Sequence, residues 1–313
     1  MVKNMYKEIV YKQIDMTNKE DEIKNLKSLQ ENNFFIIGIE VTDNEIANLM
    51  HYSIDPQHSF SKITSLEYVF NYINDLKDIL VSFNKIFLCT VKTDIDSIGA
   101  MSVLSMALNN KLTINNDIVL RLKAIAQSDR HGRLNWRERE DFLQIDKYNT
   151  YGLPIGLLYM TSNRKLRTYQ KVKKMTQFLK NGWFNDIEIF NNIVQKNIND
   201  SSRNTSLDII VTKKLCLVQS SYRGAISYGY KYCPVVIAIN DTYLFGKNNN
   251  IFGKKVTIGQ YSASYVDLVS LNIELNKLEE GWGGSEVIIG SPLDHPSKLD
   301  NNTIIEKTKK FLI

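Results

Sequence analysis

The segment Lys85–Leu108, KIFLCTVKTDIDSIGAMSVLSMAL, constrains the fold of this chain more than any other stretch. Its run Ile86–Cys89 is apolar and of strand length, and from Ile98 onward apolar residues recur at helical spacing. The segment therefore predicts a buried strand, a short loop and a helix, which together form the repeating unit of an open α/β sheet. Asp94 and Asp96 lie in the loop, so we expect both carboxylates at the carboxyl edge of the sheet, where such folds bind ligands.

Two interpretations of Asp94 and Asp96 stay open. Two anions one residue apart repel each other unless a cation lies between them, and hard divalent cations prefer carboxylate oxygens. Alternatively, an Asp-Ser pair caps the following helix, and the other aspartate is a spare acid nearby.

The rest of the first half continues the alternation of strand and helix. Phe34–Val41 is rich in aromatic and β-branched residues and predicts a buried strand, and Ser65–Val81 and Asp117–Gln127 have helical periodicity. This order predicts an α/β domain over residues 1–150 with a mainly parallel sheet covered by helices.

The second half begins with a helical segment and then becomes rich in short strands. Residues 151–204 predict a helical connector and include the basic run Arg164–Lys180, which indicates either a solvated helix face or a nucleic-acid contact. Residues 205–313 contain short β-type runs with turn residues between them, together with two helices. They predict a smaller α/β C-terminal domain.

The composition is ordinary for a globular protein, with 43% hydrophobic and 23% charged residues. A formal charge of +5 permits an anionic partner without requiring one. The three cysteines are scattered, no leader-like apolar segment opens the chain, and no run approaches the roughly 18 apolar residues of a membrane span. These features predict a cytoplasmic protein with no membrane contact.

Acidic and imidazole side chains recur at the ends of predicted elements within the first 131 residues. They are Asp43, Asp55, Asp94, Asp96, Asp129, His58 and His131. A mixed set of this kind suits manganese, magnesium or zinc better than calcium. Each residue also has a local explanation: Asp43 as a helix cap, Asp55 in a turn with Pro56, and Asp129 and His131 on the surface.

The stretch VKTDIDSIGAMSVL resembles the first motif of the DHH phosphoesterase superfamily. In that family a strand leads into His-x-x-Pro-Asp-x-Asp-Ala-Ile-Gly-Ser. The resemblance implies that Asp94 and Asp96 are metal ligands. Thr90 stands in place of the motif histidine, and Thr93 in place of the proline.

Two further motifs of the family have weaker counterparts. The strand that ends before Asp43 is similar to the second motif, and Ile54–Ser59 resembles Ile-Asp-His-His-Pro-Ser with both central positions changed. Both precede the Asp-x-Asp segment instead of following it. This order implies a circularly rearranged domain or a chance match.

The segment from Lys254 to Pro292 resembles the DHH-associated C-terminal domain through Val266-Asp267 and Gly283-Gly284. Gln260-Tyr261 replaces the family's Arg-Ser, and Ser285 replaces its histidine. The resemblance implies that substrate is bound by Gly283, Gly284 and Ser285, although a tight structural turn explains the glycines equally well. Two weaker candidates for substrate contacts are Arg223, where an exposed hairpin is the alternative, and His295.

The resemblance implies a phosphoesterase with one or two Mn²⁺ or Mg²⁺ ions that hydrolyses a nucleotide or short oligonucleotide. Its expected catalytic residues are Asp94, Asp96, Asp129 and His131. Its expected metal ligands are Asp43, Asp55, His58, Asp94, Asp96 and Asp129. The alternatives are a catalytically degenerate nucleotide-binding protein and a protein-interaction subunit. The oligomeric state stays open, a homodimer included.

Overall fold

A computed structural model describes residues 7–54, 63–131, 155–202, 205–221, 225–230, 232–245, 251–261 and 263–313. The described residues divide into two compact units: the first holds those up to 130 and from 155 to 194, and the second holds His131 and those from 195 onward. Each unit has its own sheet and its own hydrophobic core.

The sheet of the first unit has four parallel strands in the order β1-β4-β2-β3. The strands are β1 (Glu8–Gln13), β2 (Phe35–Ile39), β3 (Tyr52–Ile54) and β4 (Lys85–Thr90). The helices up to residue 131 are α1 (Lys19–Glu31), α2 (Asn44–Ala47), α3 (Ser65–Asn71), α4 (Ile73–Leu80), α5 (Ile95–Leu108) and α6 (Asn116–His131). Those that follow are α7 (Ile155–Ser162), α8 (Thr168–Asn181) and α9 (Ile187–Ser202). The predicted mixed α/β class and the parallel sheet are confirmed.

Alternating side chains of β2 pack into two different cores, one on each face of the sheet. Ile37 and Ile39 pack in the core that contains α3, α4 and α5, whereas Ile36 packs with Leu26 of α1 and Ile46 of α2. The chain therefore leaves β2 towards one face of the sheet and leaves the neighbouring β4 towards the other. Adjacent strands whose connections diverge in this way leave a crevice at their carboxyl ends, which is where α/β sheets bind ligands.

Helices α7 and α8 belong to the first unit, whereas the sequence pattern predicts a separate connector over residues 151–204. Helix α8 packs against α5 and β1. Its apolar residues Val172, Met175, Phe178 and Leu179 recur at helical spacing and are buried. A stripe of this kind must be covered for the helix to be stable, and the surface of α5 covers it.

The second unit has a six-stranded mixed sheet in the order β5-β6-β7-β8-β10-β9. Its strands are β5 (Ser206–Val211), β6 (Leu215–Gln219), β7 (Val235–Phe245), β8 (Ile251–Gln260), β9 (Gly283–Gly284) and β10 (Ile288–Gly290). Its helices are α10 (Ala225–Gly229), α11 (Leu268–Leu278) and α12 (Asn301–Lys310). Within the described ranges, none of the helices is both long and apolar enough to cross a lipid bilayer.

Candidate functional site

The loop after β4 is held by short-range hydrogen bonds. Ser97 Oγ donates to the Lys92 carbonyl at 2.8 Å, and Asp94 Oδ1 accepts the Ser97 N–H at 3.0 Å. Asp94 is thus the N-cap of α5, and the structure thereby identifies which of the two aspartates forms the cap. Its other oxygen, Oδ2, lies 3.2 Å from the ammonium of Lys92, so this carboxylate has both a cap and an ion-pair partner.

Asp96 is fully buried and joins α5 to the start of α3. Its Oδ2 accepts the Ser65 N–H at 2.7 Å, and its Oδ1 accepts the Leu66 N–H at 2.9 Å. The side chains of Thr64 and Glu40 also hydrogen-bond to it. Asp96 is therefore not a spare acid, because the first turn of α3 supplies N–H donors that favour a carboxylate.

Glu40 is the principal site residue that the sequence patterns do not predict. It follows β2 directly, and its backbone is left-handed, with φ of 54°. Its N–H donates to the Ile54 carbonyl at 2.9 Å, and its Oε1 accepts from Ser65 Oγ at 3.2 Å. A left-handed glutamate is uncommon and is tolerated where the surroundings impose it, often at functional sites. The signal in the sequence was the acid that ends the run FFIIGIE.

Four acids lie close enough at this edge of the sheet to affect one another's charge. Burial, followed by the charges of Asp94 and Asp96, raises the pKa of Glu40 to about 10, and Asp129 contributes in the same direction. Burial also raises the pKa of Asp96, against the hydrogen bonds that it accepts. The Glu40 carboxyl therefore carries a proton at neutral pH and donates it towards Asp96. We call Glu40, Asp94, Asp96 and Asp129 the acidic edge.

Lys92 supplies positive charge to the acidic edge. Burial alone would lower the pKa of its ammonium, but Asp94, Asp129 and Glu40 outweigh that effect and raise it. The side chain of Lys92 is 77% exposed, so the ammonium is free to swing away into water. The ammonium of Lys92 and the proton on Glu40 together offset part of the negative charge of the four acids.

The donor chemistry of the acidic edge fits Mg²⁺ or Mn²⁺, because its side-chain donors are hard carboxylate oxygens. As the side chains stand, no group of three or more His, Cys, Asp or Glu in the described part of the chain is arranged to hold a metal ion. Asp94 is turned towards Lys92, and both oxygens of Asp96 accept backbone N–H groups. A cation at this edge would replace the ammonium and the Glu40 proton.

The remaining predicted residues of the first half lie elsewhere or outside the description. Asp43 accepts the Glu45 and Ile46 N–H groups and pairs with Lys19 at 2.8 Å, which are the contacts of a helix cap. Asp55 and His58 lie outside the described residues. His131 ends α6, and its side chain is outside the description as well.

In the second unit, a tight hairpin accounts for one of the two glycines predicted to bind substrate. Gly284 has φ of 148°, and a Cβ there would lie 2.1 Å from the Ile288 carbonyl oxygen. The next N–H, of Ser285, donates to that same oxygen at 2.7 Å. Gly283, by contrast, has open space where a Cβ would be.

Other positions of this segment also have structural partners. The Gln260 side chain accepts the Tyr265 and Val266 N–H groups at 3.1 and 2.9 Å. His295 is exposed, with Nε2 3.7 Å from Asp294. Arg223 lies outside the described residues.

No protein-family model matches the chain, and no curated protein matches it at a significant level of similarity. The functional interpretation therefore depends on the chemistry of the acidic edge.

Proposed function

We propose that this protein is a cytoplasmic, divalent-metal-dependent phosphoesterase of the DHH type that hydrolyses a phosphodiester of a nucleotide or short oligonucleotide. One observation carries the proposal: four acids from three separate segments converge where β2 and β4 leave the sheet towards opposite faces. Such crevices are the ligand sites of α/β sheets. Three buried, free cysteines support a reducing compartment.

The acids have two different tasks in this proposal. Glu40, Asp94 and Asp129 would hold Mn²⁺ or Mg²⁺, with the predicted ligands Asp55 and His58 completing the set. Asp96, whose own position is set by α3, accepts a hydrogen bond from the Glu40 carboxyl in the metal-free protein and so orients Glu40 before a cation replaces that proton. A bound divalent ion supplies Lewis-acid activation of the phosphoryl group and of water.

Lys92 and His131 have roles that depend on charge. The exposed Lys92 ammonium, once released from Asp94, is available to pair with a phosphate oxygen of the substrate. His131 is proposed as the acid that protonates the leaving oxygen, since imidazole titrates near neutral pH.

The test compares Glu40→Gln and Asp94→Asn with the matched control Asp43→Asn. We expect the wild-type protein to bind Mn²⁺ in calorimetry and to hydrolyse members of a dinucleotide panel, and a chelator to stop the hydrolysis. Each acidic-edge variant should lose about 10-fold to 100-fold in activity. The control should retain full activity, because asparagine caps a helix as well as aspartate does.

Asp96→Asn is unsuited to this test, because its amide N–H₂ would face the backbone donors of α3 and destabilise the fold. The proposal is wrong if wild-type protein neither binds Mn²⁺ nor hydrolyses any substrate of the panel. It is also wrong if Glu40→Gln and Asp94→Asn retain the activity of Asp43→Asn.

A nucleotide-binding protein without catalysis is the second candidate. It is favoured by the ion pair between Lys92 and Asp94, which places a protein cation where a metal would otherwise lie. Tight nucleotide binding in the presence of a chelator, with no turnover after Mn²⁺ is added, would select it.

A further inference from the structure

Helix α8 and the residues before it carry an unbroken excess of positive charge. Seven Lys or Arg lie between Arg164 and Lys180, and residues 155–185 contain no Asp or Glu. Two of the seven have partners inside the fold: Lys171 donates to Thr93, and Lys174 pairs with Asp186 at 2.9 Å. The other five are exposed, and none forms an ion pair within the described part of the chain: Arg164, Lys165, Arg167, Lys173 and Lys180.

Two large aromatic side chains accompany these cations. Tyr169 is 50% exposed and Trp183 is 54% exposed. Tyr169, Lys173 and Lys180 are separated by four and seven residues and therefore share one face of α8. Since the opposite face supplies the buried apolar stripe, these residues are not needed for the core. About 16 Å of helix axis separates Tyr169 from Lys180, which is the length of several nucleotides.

The start of α8 lies at the same edge of the sheet as the acidic edge. Lys171, in the first turn of α8, is buried, and its Nζ donates to Thr93 Oγ1 at 2.6 Å. Thr93 immediately precedes Asp94 in the loop after β4. The first turn of α8 is therefore tied to the loop that carries Asp94.

The far end of α8 is fixed as well. The buried guanidinium of Arg121 donates to the carbonyls of Leu179 and Lys180 at 2.7 and 2.9 Å. The exposed face is thus presented by a helix that is held at both ends.

We propose that the exposed face of α8 (Tyr169, Lys173 and Lys180) and the exposed residues that flank the helix (Arg164, Lys165 and Trp183), together called the basic face, bind single-stranded nucleic acid. Cations that track the backbone, interleaved with aromatic rings on which bases stack, are the features of single-strand binding. The substrate of the acidic edge is then an oligonucleotide longer than a dinucleotide. That last step depends on the proposed function, whereas binding itself does not.

Binding is measured by fluorescence anisotropy with labelled 12-nucleotide RNA and DNA single strands and a 12-base-pair duplex, in a chelator. Lys173→Glu/Lys180→Glu should weaken single-strand binding more than tenfold. It should also reduce the slope of log affinity against log salt by about 1.4, because each phosphate that the protein no longer neutralises lowers that slope by about 0.7. Lys27→Glu/Lys310→Glu makes the same change in net charge at exposed positions of α1 and α12, and should change the affinity less than twofold.

Tyr169→Ala and Trp183→Ala should each weaken single-strand binding by about fivefold to 100-fold, since each removes a stacking surface. The salt slope should not change. Comparison of the two single strands shows whether RNA or DNA is preferred, and binding to either supports the proposal. It is overturned if the charge reversals on α8 act no more strongly than those on α1 and α12, or if the duplex binds as tightly as the single strands.

The two proposals can fail separately. Glu40→Gln should bind the 12-nucleotide strand as wild type does, and the charge reversal on α8 should raise KM for that strand without changing dinucleotide hydrolysis. A wild-type protein that binds single strands and hydrolyses nothing would leave the basic face assigned and remove the phosphoesterase. Dinucleotide hydrolysis without single-strand binding would leave the phosphoesterase assigned and remove the basic face.

Discussion

Glu40 illustrates how a single side chain at a strand end acquires unusual properties. It is half-buried beside Asp94 and Asp96, and it is held there by a left-handed backbone. Two carboxylates this close cannot both be charged without a cation between them, so one of them keeps a proton. A carboxyl that keeps its proton in the fold makes the metal-free protein less stable at high pH, and this loss of stability can be measured.

At the residue scale, we predict that the chelator-treated protein loses stability as pH rises above 4.5. Between that ordinary value and about 10, folded Glu40 binds a proton that the unfolded chain has released. The free energy of unfolding therefore falls by up to about 1.4 kcal/mol per pH unit. Glu40→Gln should remove this contribution, and melting temperatures at pH 6 and pH 8.5 measure it. Glu45→Gln, at an exposed position, should melt like wild type. The prediction is contradicted if the melting temperature of Glu40→Gln changes between the two pH values as much as that of wild type.

At the scale of elements, the C-terminus of α8 depends on one glycine. Gly182 follows α8 with φ of 77°, and its N–H donates to the Phe178 carbonyl at 2.7 Å. A Cβ there would meet its nearest atom, in Arg121, at an ordinary 3.4 Å. The requirement for glycine is therefore conformational and not steric.

We predict that Gly182→Ala costs about 1 kcal/mol of unfolding free energy, because an L-residue is strained at this φ. Urea unfolding followed by circular dichroism measures the change. Gly283→Ala is the matched control: Gly283 is not among the glycines with positive φ, and a Cβ there meets nothing within 4 Å. Its stability should change by less than about 0.5 kcal/mol. Equal effects of the two substitutions would show that backbone strain at α8 is not the cause.

For the whole molecule, the main observation is that each unit has its own core. The second unit packs Leu215, Ile237, Ile258, Leu271 and Trp282 into one cluster and needs none of the first unit's strands for its sheet. A unit of this kind is expected to fold as an independent domain.

We predict that a fragment of residues 205–313 folds alone and unfolds in one cooperative transition, seen by circular dichroism and by dispersed amide signals in NMR spectra. Leu271→Ala, at a buried position of α11, should destabilise the fragment and the second unit of the full chain alike, by about 2–5 kcal/mol. The second unit would be shown to depend on the first if the fragment has no thermal transition, or if Leu271→Ala destabilises only the full chain.

Local patterns in the chain were enough to predict several features of the fold. The apolar run and helical spacing of Lys85–Leu108 predicted β4 and α5, and the position of Asp94 and Asp96 at the carboxyl edge followed from them. The parallel sheet was also predictable, since strands and helices alternate along the chain.

Which distant residues meet, in contrast, became visible only in the folded molecule. β1 lies in a charged N-terminal stretch whose pattern does not predict a strand, because an edge strand shows little apolar pattern until its partner β4 is known. Glu40 and Asp129 join Asp94 and Asp96 because β2, β4 and α6 contribute to one hydrophobic core, and Lys171 is buried because α8 covers α5. Pairing and packing of this kind are set by contacts between segments far apart in the chain, which local periodicity does not encode.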